Sequence, residues 1–333
     1  MEYSKGRYSE SVEVTRQILL AHGIRPGMRV IVCYPFDPWA IGGIFRDAAL
    51  ACGTQVLPLG LNVGESSLAS MILDFNPQVL CGSAGLLVQW HGQLGISREL
   101  SRATARIVFH AGEPIRSSVR ETCANLWNAR IVNVYGMAEF DSIGSESTAE
   151  SGLTLSPHLK YALRVPLCEA PQRLVENAEG ELLIKKEGAR QWHRTRDIVR
   201  VLDKSPKSDL LWPGCWRIRH ISRTDDSLKL PDGSLISAEQ VVSAVHACSG
   251  VEHVQLQLVH DSRGGATELR IMASVSDKAV APTPAEFKRI VLSKCLELAD
   301  AVKYRAVVIK VSFVSSSKLV RTRRGKVKMF VEK

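Results

Sequence analysis

Four stretches of this sequence present acidic or basic residues in a way that suits the binding of a charged ligand, and the first and last of them also contain a glycine. The first is Asn133-Val-Tyr-Gly-Met-Ala-Glu-Phe140, where an apolar run of β type stops at Gly136 and is followed by the carboxylate of Glu139. Loops at strand ends are where α/β proteins place ligand-binding groups. The other stretches follow in the order His193-Arg-Thr-Arg-Asp197, Ser222-Arg-Thr-Asp-Asp-Ser-Leu-Lys229 and Val320-Arg-Thr-Arg-Arg-Gly-Lys326.

The first half of the chain, which must position the first stretch, alternates between helical and short apolar strand patterns. Alternation of this kind predicts a parallel sheet covered by helices. Apolar residues at helical spacing predict helices at 9–21, 44–51, 65–75, within 84–95 and at 117–127. Strands are predicted at 30–33, 55–59, 79–81, 106–109 and 129–135.

The second half of the chain has a different pattern of apolar and turn residues. Residues 152–201 combine alternating apolar positions with Asn/Gly turns, which predicts a β-rich subdomain. From about residue 222 the pattern is that of a compact α+β unit with its own core. We therefore expect two domains, 1–221 and 222–333. In the second we expect helices at 237–248 and 284–298 and strands near 228 and at 253–259, 268–275 and 307–313.

Composition excludes several classes of protein. The chain has 333 residues, 45% of them hydrophobic, and no apolar run near the roughly 18 residues that span a bilayer. Its first residues lack the apolar core of a signal peptide, so we expect a cytoplasmic protein without a membrane segment. Its eight cysteines are scattered without a Cys-x-x-Cys pair, which favours structural thiols over a disulfide framework, a redox site or a zinc site.

In their fixed order, the four stretches resemble the motifs of the adenylate-forming superfamily, which includes acyl-CoA synthetases, peptide-synthetase adenylation domains and luciferases. They are most similar to those of its phenylacetate–CoA ligase branch. The resemblance implies an α/β fold with a large domain, made of a helix-covered sheet and a β-rich subdomain, and a small α+β C-terminal lid domain. It also implies ATP, Mg²⁺ and coenzyme A as cofactors.

Residue roles follow from the same resemblance. Tyr135, with Gly136 after it, would stack on adenine, and Glu139 would hold Mg²⁺ as a catalytic residue. The turn Gly112-Glu113-Pro114 would border the nucleotide and acyl pocket. The residues alone also allow an ordinary strand-to-helix turn at 112–114 and a solvated acid at Glu139.

The remaining roles fall in the second half of the chain. Asp197 would accept hydrogen bonds from ribose, Arg223 would reach ribose or phosphate, and Asp225 would act as the hinge. Lys326 would meet the α-phosphate and the carboxylate of the acid as a second catalytic residue. The alternatives are a solvated loop acid at Asp197, a cap or turn at Asp225-Asp226, and one charge among many at Lys326.

The C-terminal part of the chain carries most of the net charge of +9. Such an excess of positive charge favours polyanions. We recognise no nucleic-acid-binding module, and the phosphates of ATP or coenzyme A account for the same charge, so nucleic acid is disfavoured. From residue 303 onward one acid, Glu332, accompanies ten basic side chains: Lys303, Arg305, Lys310, Lys318, Arg321, Arg323, Arg324, Lys326, Lys328 and Lys333.

Two departures from the family pattern matter for function. The Ser/Thr/Gly-rich phosphate loop that family members carry upstream of the tyrosine motif is represented at most by Ser4-Lys5-Gly6, so we expect a truncated large domain. Its bare apolar face would be covered by self-association or by a partner subunit. In addition, Arg196 occupies the position of the glycine in the family's Thr-Gly-Asp motif, and it either replaces lost phosphate contacts or obstructs the ribose.

Two functions remain open on the sequence. The first is an AMP-forming carboxylate ligase for a small aromatic acid, an expectation based on Phe36, Trp39 and Trp90, with transfer of the acyl group to coenzyme A or another nucleophile. The second is a degenerate, non-adenylating homologue that handles acyl groups without ATP or serves as a subunit or binding partner. The four retained motifs favour the first, and the lost phosphate loop favours the second.

Overall fold

The chain divides into two compact units in the computed structural model. The first comprises Met1–Arg194 and Arg200–Arg219, and the second comprises Thr195–Val199 and His220–Lys333. The structure describes residues 5–36, 40–60, 65–93, 105–112, 115, 117–148, 151–166, 168–224, 227–229, 235–246, 250–260, 266–275, 283–303, 307–321 and 327–332.

Helices and strands alternate as far as the fifth strand, and strands dominate from there to residue 223. The helices are α1 Lys5–Ala21, α2 Ile41–Ala51, α3 Glu65–Phe75, α4 Ala84–Gln93, α5 Ser117–Trp127, α6 Ala238–His246, α7 Pro284–Lys294 and α8 Leu296–Lys303. The first eleven strands are β1 Arg29–Val32, β2 Gln55–Pro58, β3 Val79–Cys81, β4 Ile107–Ala111, β5 Arg130–Met137, β6 Asp141–Glu146, β7 Leu153–Leu155, β8 Leu159–Arg164, β9 Glu179–Lys186, β10 His193–Lys204 and β11 Trp216–Arg223. The other strands among the described residues are β12 Ser227–Lys229, β13 Leu235–Ser237, β14 Val251–His260, β15 Ala266–Val275, β16 Val308–Phe313 and β17 Phe330–Glu332.

An eleven-stranded sheet runs in the order β2-β1-β3-β4-β5-β6-β7-β11-β10-β9-β8. The strands from β2 to β5 pair in parallel, whereas β5–β6, β6–β7, β7–β11 and β8–β9 are antiparallel. The parallel part is the helix-covered sheet that the sequence predicts. Strands β7, β8, β9 and most of β10 cover the predicted β-rich region, 152–201, whereas β6 and β11 of the antiparallel part lie outside it.

Both faces of the parallel part are buried, which explains its nearly continuous apolar strands. Val30 and Val32 of β1 pack in one core cluster with residues of α1 and α2. Ile31, between them, packs in a second cluster with residues of α3, α4 and α5. Because successive strand residues point to opposite faces, a single strand such as β1 contributes side chains to both clusters.

The second unit has its own sheet and core. Four strands are ordered β16-β15-β14-β17, and a β12–β13 hairpin forms a separate two-stranded sheet. Residues of α6, α7 and α8 pack with β14, β15 and Ile309 in one apolar cluster. Phe287 of α7 is fully buried there and meets Phe313 edge to face at 5.5 Å. Thr283 and Glu286 form a capping box that fixes the start of α7.

The structure departs from the predicted elements of this unit in three places, the first being strand β13 at Leu235–Ser237, where no strand was expected. The single helix expected at 284–298 is two helices, because the chain leaves helical geometry at Cys295, where φ is −125° and ψ is 86°. Cys295 is buried, whereas the adjacent Leu296 is 72% exposed. The basic tail also contains a strand that the sequence pattern did not predict, since β17 pairs in parallel with Leu256–Leu258.

Within the described residues, no helix is both long and apolar enough to cross a membrane. The cysteines that the structure describes are free thiols, and five of them are buried: Cys33, Cys52, Cys81, Cys123 and Cys295. Burial raises the pKa of the Cys123 thiol to about 12 and that of Cys33 well above its usual range. These two cysteines therefore behave as core side chains rather than as nucleophiles.

Candidate functional site

The first predicted motif lies on the hairpin formed by β5 and β6. Tyr135 and Gly136 are near the end of β5, and Glu139 lies exposed in the turn between the strands. A Cβ atom at Gly136 would stand 2.3 Å from the backbone oxygen of Asp141. Only glycine fits there, since real Cβ atoms do not approach a carbonyl oxygen so closely. Close packing of the backbone therefore explains the glycine of the Tyr-Gly-x-x-Glu pattern in this chain.

Helix α1 anchors the turn of this hairpin. Arg7 Nη2 donates to the carbonyl oxygen of Ala138 at 2.6 Å, and the Arg7 guanidinium is 3.6 Å from the Asp141 carboxylate. The hydroxyl of Ser11 also donates to that carboxylate. One turn further along the helix, Thr15 Oγ1 lies 3.0 Å from Ser142 Oγ. These contacts hold both ends of the short turn that presents Glu139 to solvent.

Gly112 lies at the same edge of the sheet as the tyrosine motif. It directly follows Ala111 of β4, and Ala111 pairs with Val134 of β5, so Gly112 and Tyr135 stand at the same level of neighbouring strands. Gly112 has φ +89°, which side chains rarely adopt, although a Cβ there would meet nothing within 4 Å. Glycine is thus favoured by conformation rather than by space. Glu113, its neighbour, lies outside the described residues.

Asp197 belongs to the second unit, where it is buried with two basic neighbours. Its residue exposure is 4%, and its Oδ1 accepts a hydrogen bond of 2.9 Å from Arg223 Nη1. His220 Nε2 is 3.4 Å from the same oxygen. The backbone N–H of Asp197 donates to Thr195 Oγ1 at 3.0 Å. The structure thus joins two predicted residues, Asp197 and Arg223, in an ion pair.

Arg196 has a backbone conformation that normally belongs to glycine. Its φ is +64°, near the start of strand β10. The left-handed region costs a residue with a Cβ roughly 1–2 kcal/mol. The chain therefore has a backbone conformation that suits glycine at this position, while the residue there is an exposed arginine.

Two of the predicted site residues, Asp225 and Lys326, lie outside the described residues, as does Trp39 of the expected acyl pocket. The other two aromatic residues of that expectation are described. Phe36 is half-buried beside the cluster of α1 and α2, and Trp90 is buried in the opposite cluster with a residue exposure of 4%. Trp90 is thus a core residue in this structure.

Sequence reasoning missed the residues that hold the predicted ones in place. Arg7 and Ser11 reach the hairpin from more than 125 positions away in the chain, and His220 reaches Asp197 from the neighbouring strand β11. No local pattern marks such partners, because each contact depends on how distant elements pack. The described residues contain no group of three or more His, Cys, Asp or Glu side chains arranged to hold a metal ion.

Comparison with solved structures identifies the architecture. A 2-hydroxyisobutyryl-CoA ligase in the postadenylation state, in complex with 2-HIB-AMP, matches 99% of this chain and 70% of its own with a TM-score of 0.79 and 15% identity. The amide bond synthetase McbA from Marinactinospora thermotolerans matches 97% of this chain and 63% of its own, with a TM-score of 0.69 and 18% identity. The chain has the adenylate-forming ligase fold.

A third solved structure with this fold carries an aromatic acyl group. The anthranilate CoA ligase AuaEII, in complex with anthranoyl-AMP, matches 96% of this chain and 61% of its own with a TM-score of 0.66 and 15% identity. No family model and no curated protein matches the sequence. The adenylate-forming fold comprises a large domain and a small C-terminal domain, in agreement with the predicted fold class.

Proposed function

We propose that this protein is an AMP-forming carboxylate ligase. It activates a small aromatic carboxylic acid as the acyl adenylate and passes the acyl group to coenzyme A or another nucleophile. The observation that carries the proposal is the β5–β6 hairpin, whose tight turn requires Gly136 and presents Glu139 on an adenylate-forming fold. Solved neighbours of that fold bind acyl adenylates, among them anthranoyl-AMP.

In the first unit, Tyr135 stacks on adenine, with Gly112, Glu113 and Gly136 bordering the nucleotide. Glu139 is the ligand for Mg²⁺. A single exposed carboxylate fits this ion, since Mg²⁺ at ATP sites is held by one or two carboxylates together with phosphate oxygens and water. When bound, Mg²⁺ neutralises the triphosphate. Glu139 would hold the ion at the turn of the hairpin, and the ion would there help to position the triphosphate.

In the second unit, Asp197 accepts hydrogen bonds from the ribose hydroxyls and Arg223 contacts ribose or phosphate. Their ion pair keeps both groups oriented before a ligand arrives, which lowers the cost of ordering them. Lys326 places its ammonium group against the α-phosphate and carboxylate oxygens, where negative charge builds up in the transition state. Asp225 is the hinge residue.

The proposal is tested by titration calorimetry and by turnover. The protein is titrated with ATP and Mg²⁺, then assayed for pyrophosphate release with benzoate, phenylacetate and anthranilate. Glu139→Gln should lower turnover, and Asp197→Asn should weaken ATP and AMP alike. Glu121→Gln, which replaces an exposed acid on α5, is the matched control and should change neither. Absence of ATP binding in the wild-type protein would contradict the proposal.

One observation favours the alternative of a non-adenylating homologue that handles acyl groups without ATP. The Asp197 carboxylate is 6% exposed and already occupied by Arg223 and His220, and the bulky Arg196 precedes it. Ribose binding would have to displace part of this arrangement. If chemically made acyl adenylate is used by the wild-type protein and ATP is not, the transferase-like alternative is correct.

A further inference from the structure

In the second unit, an arginine and a histidine cover the same carboxylate oxygen of Asp197. Arg223 Nη1 donates to Asp197 Oδ1 at 2.9 Å, and His220 Nε2 lies 3.4 Å from that oxygen. Both residues belong to β11, whereas Asp197 belongs to β10. The Asp197 side chain is 6% exposed, against 19% for His220 and 36% for Arg223. A ligand that approaches this oxygen from solvent therefore meets the imidazole and the guanidinium first.

The position of Nε2 decides which nitrogen of His220 can accept a hydrogen bond. A neutral imidazole carries its proton on one nitrogen and a lone pair on the other. A lone pair on Nε2 would face the negative oxygen of Asp197 and be repelled by it, so the proton belongs on Nε2. Nδ1 is then the acceptor, and among the described residues it has no hydrogen-bond partner. The ring thus presents an unused acceptor beside Asp197.

The three side chains offer a ligand two acceptors and one donor group. The Arg223 guanidinium can only donate, whereas the Asp197 carboxylate and Nδ1 of His220 accept. Two neighbouring acceptors suit a ligand with two adjacent hydroxyl groups, such as the 2′ and 3′ hydroxyls of the ribose in an adenine nucleotide. Because Arg223 already occupies part of Oδ1, a second acceptor reduces what ribose binding has to displace at Asp197.

We propose that His220 is a specificity-determining residue for ribose. Its Nδ1 accepts a hydrogen bond from one of the two hydroxyls, and Asp197 accepts from the other. The proposal deepens the proposed function and rests on it for the presence of a nucleotide at Asp197. A site that pairs a ligand hydroxyl with an acceptor discriminates against the analogue without that hydroxyl, because the acceptor then loses its partner. The protein should therefore prefer ribonucleotides to deoxyribonucleotides.

The preference is measured by binding alone, without any reaction. Titration calorimetry gives the Kd of AMP, 2′-deoxy-AMP and 3′-deoxy-AMP for the wild-type protein and for His220→Phe, which keeps a ring and removes both nitrogens. The wild-type protein should bind AMP more tightly than either deoxynucleotide. In His220→Phe the Kd of AMP should rise about 5-fold. The Kd of one deoxynucleotide, the one that lacks the hydroxyl bound by His220, should change less than about 2-fold.

Two more variants separate a hydrogen bond from an effect of packing. His220→Asn places an amide where the imidazole has Nδ1, so its oxygen can accept and part of the preference for AMP should return. His253→Phe is the matched control, because His253 is a half-buried histidine of β14 in the same unit, and all three Kd values should stay within about 2-fold. An equal rise of all three Kd values in His220→Phe would show a packing effect and overturn the proposal. Three unchanged Kd values would overturn it as well.

The same titrations separate this inference from the proposed function. If the wild-type protein prefers AMP, His220→Phe loses the preference and no acyl adenylate is made from ATP, the proposed function fails and the role of His220 is supported. If acyl adenylate is made and His220→Phe keeps the full preference, only the role of His220 fails. If the wild-type protein binds neither AMP nor ATP, both fail.

If His220→Phe does not fold, ¹⁵N NMR of the wild-type protein decides. The Nδ1 resonance of His220, assigned by its absence in His220→Asn, should shift on saturation with AMP, because a lone pair that accepts a hydrogen bond changes its electronic environment. It should not shift with the deoxynucleotide that lacks the bound hydroxyl. The same response to all three nucleotides, or no response to any, would overturn the role of His220.

Discussion

Arg196 has the left-handed conformation that a glycine would adopt without strain. The arginine is exposed, but its φ of +64° is a value that residues with a Cβ rarely adopt. Strain of this kind persists only where the surrounding structure imposes it. Thr195 on one side and Asp197 on the other are both buried, and the Asp197 N–H donates to Thr195 Oγ1. The buried neighbours therefore set the backbone that Arg196 must accept.

Arg196→Gly should stabilise the protein by about 1 kcal/mol. The change removes a left-handed penalty of roughly 1–2 kcal/mol and adds a smaller entropic cost for glycine in the unfolded chain. Arg196→Ala is the control, because it removes the guanidinium but keeps the Cβ, and we expect no gain from it. Urea denaturation of the three proteins measures the difference. Equal stability of the Gly and Ala variants would show that the backbone is not strained.

His22 is a buried residue whose protonation is coupled to folding. Burial, followed by the charge of Arg130, lowers the pKa of His22 to about 4. Arg130 Nη1 lies 3.1 Å from Nδ1 and must be the donor, so the proton of the neutral ring is on Nε2, which donates to the Glu146 carbonyl oxygen at 3.1 Å. A protonated ring would bring two donors together at Nδ1. The folded protein therefore holds this histidine in its neutral form.

Stability should fall as the pH falls from 7 towards 4. The unfolded chain binds a proton near pH 6.5 and the folded protein only near pH 4, so protons favour the unfolded state between these values. At pH 5 the loss is about 2 kcal/mol. His22→Gln should remove this part of the pH dependence, whereas His158→Gln, at an exposed site, should not. Thermal unfolding between pH 5 and 7 tests this. Identical slopes for His22→Gln and wild type would contradict the assignment.

At the scale of elements, helix α1 stabilises the turn of the β5–β6 hairpin. The strands approach so closely at Gly136 that any side chain would meet the Asp141 carbonyl oxygen. Asp141 itself has φ +58°, and its carboxylate accepts from Ser11. Helix α1 thus stabilises a strained turn from outside the hairpin. These contacts hold the turn on which the exposed Glu139 lies.

Gly136→Ala should destabilise the protein by roughly 3 kcal/mol, because the new methyl group must displace backbone rather than a flexible side chain. Gly6→Ala in α1 is a suitable control. A Cβ at Gly6 meets nothing within 4 Å, and alanine is the better helix former by about 1 kcal/mol. Chemical denaturation measures both. A neutral Gly136→Ala would mean that β5 and β6 separate at little cost.

Sequence patterns predict helices and strands well where the spacing of apolar residues within the segment itself determines the element. Helices at 65–75 and 117–127 and the strand at 79–81 have the predicted bounds, because their apolar spacing matches the face they bury. The strand β17 escapes prediction, since three residues gain strand geometry only from a distant parallel partner. The ion pair of Asp197 and Arg223 escapes it for the same reason. The two residues are 26 positions apart and meet through the register of neighbouring strands.

At the scale of the whole molecule, the two compact units each have their own apolar core. Phe109 is buried in the cluster of α1 and α2 in the first unit, and Phe287 is buried among α6, α7 and α8 in the second. Separate cores are what allow units of one chain to unfold separately. The change of residue pattern near residue 222 predicts two domains from the sequence. The inclusion of Thr195–Val199 in the second unit is a tertiary result that no local pattern contains.

Phe287→Ala should therefore lower only one of two unfolding transitions. Loss of a fully buried phenylalanine costs about 3–5 kcal/mol, most of it through the cavity left behind. Phe109→Ala, the matched substitution in the first unit, should lower the other transition by a similar amount. Differential scanning calorimetry gives the transitions, and hydrogen exchange of peptides from α7 and β4 assigns them. If both transitions shift together in both variants, the two units unfold as one cooperative unit, and the prediction of separate unfolding is wrong.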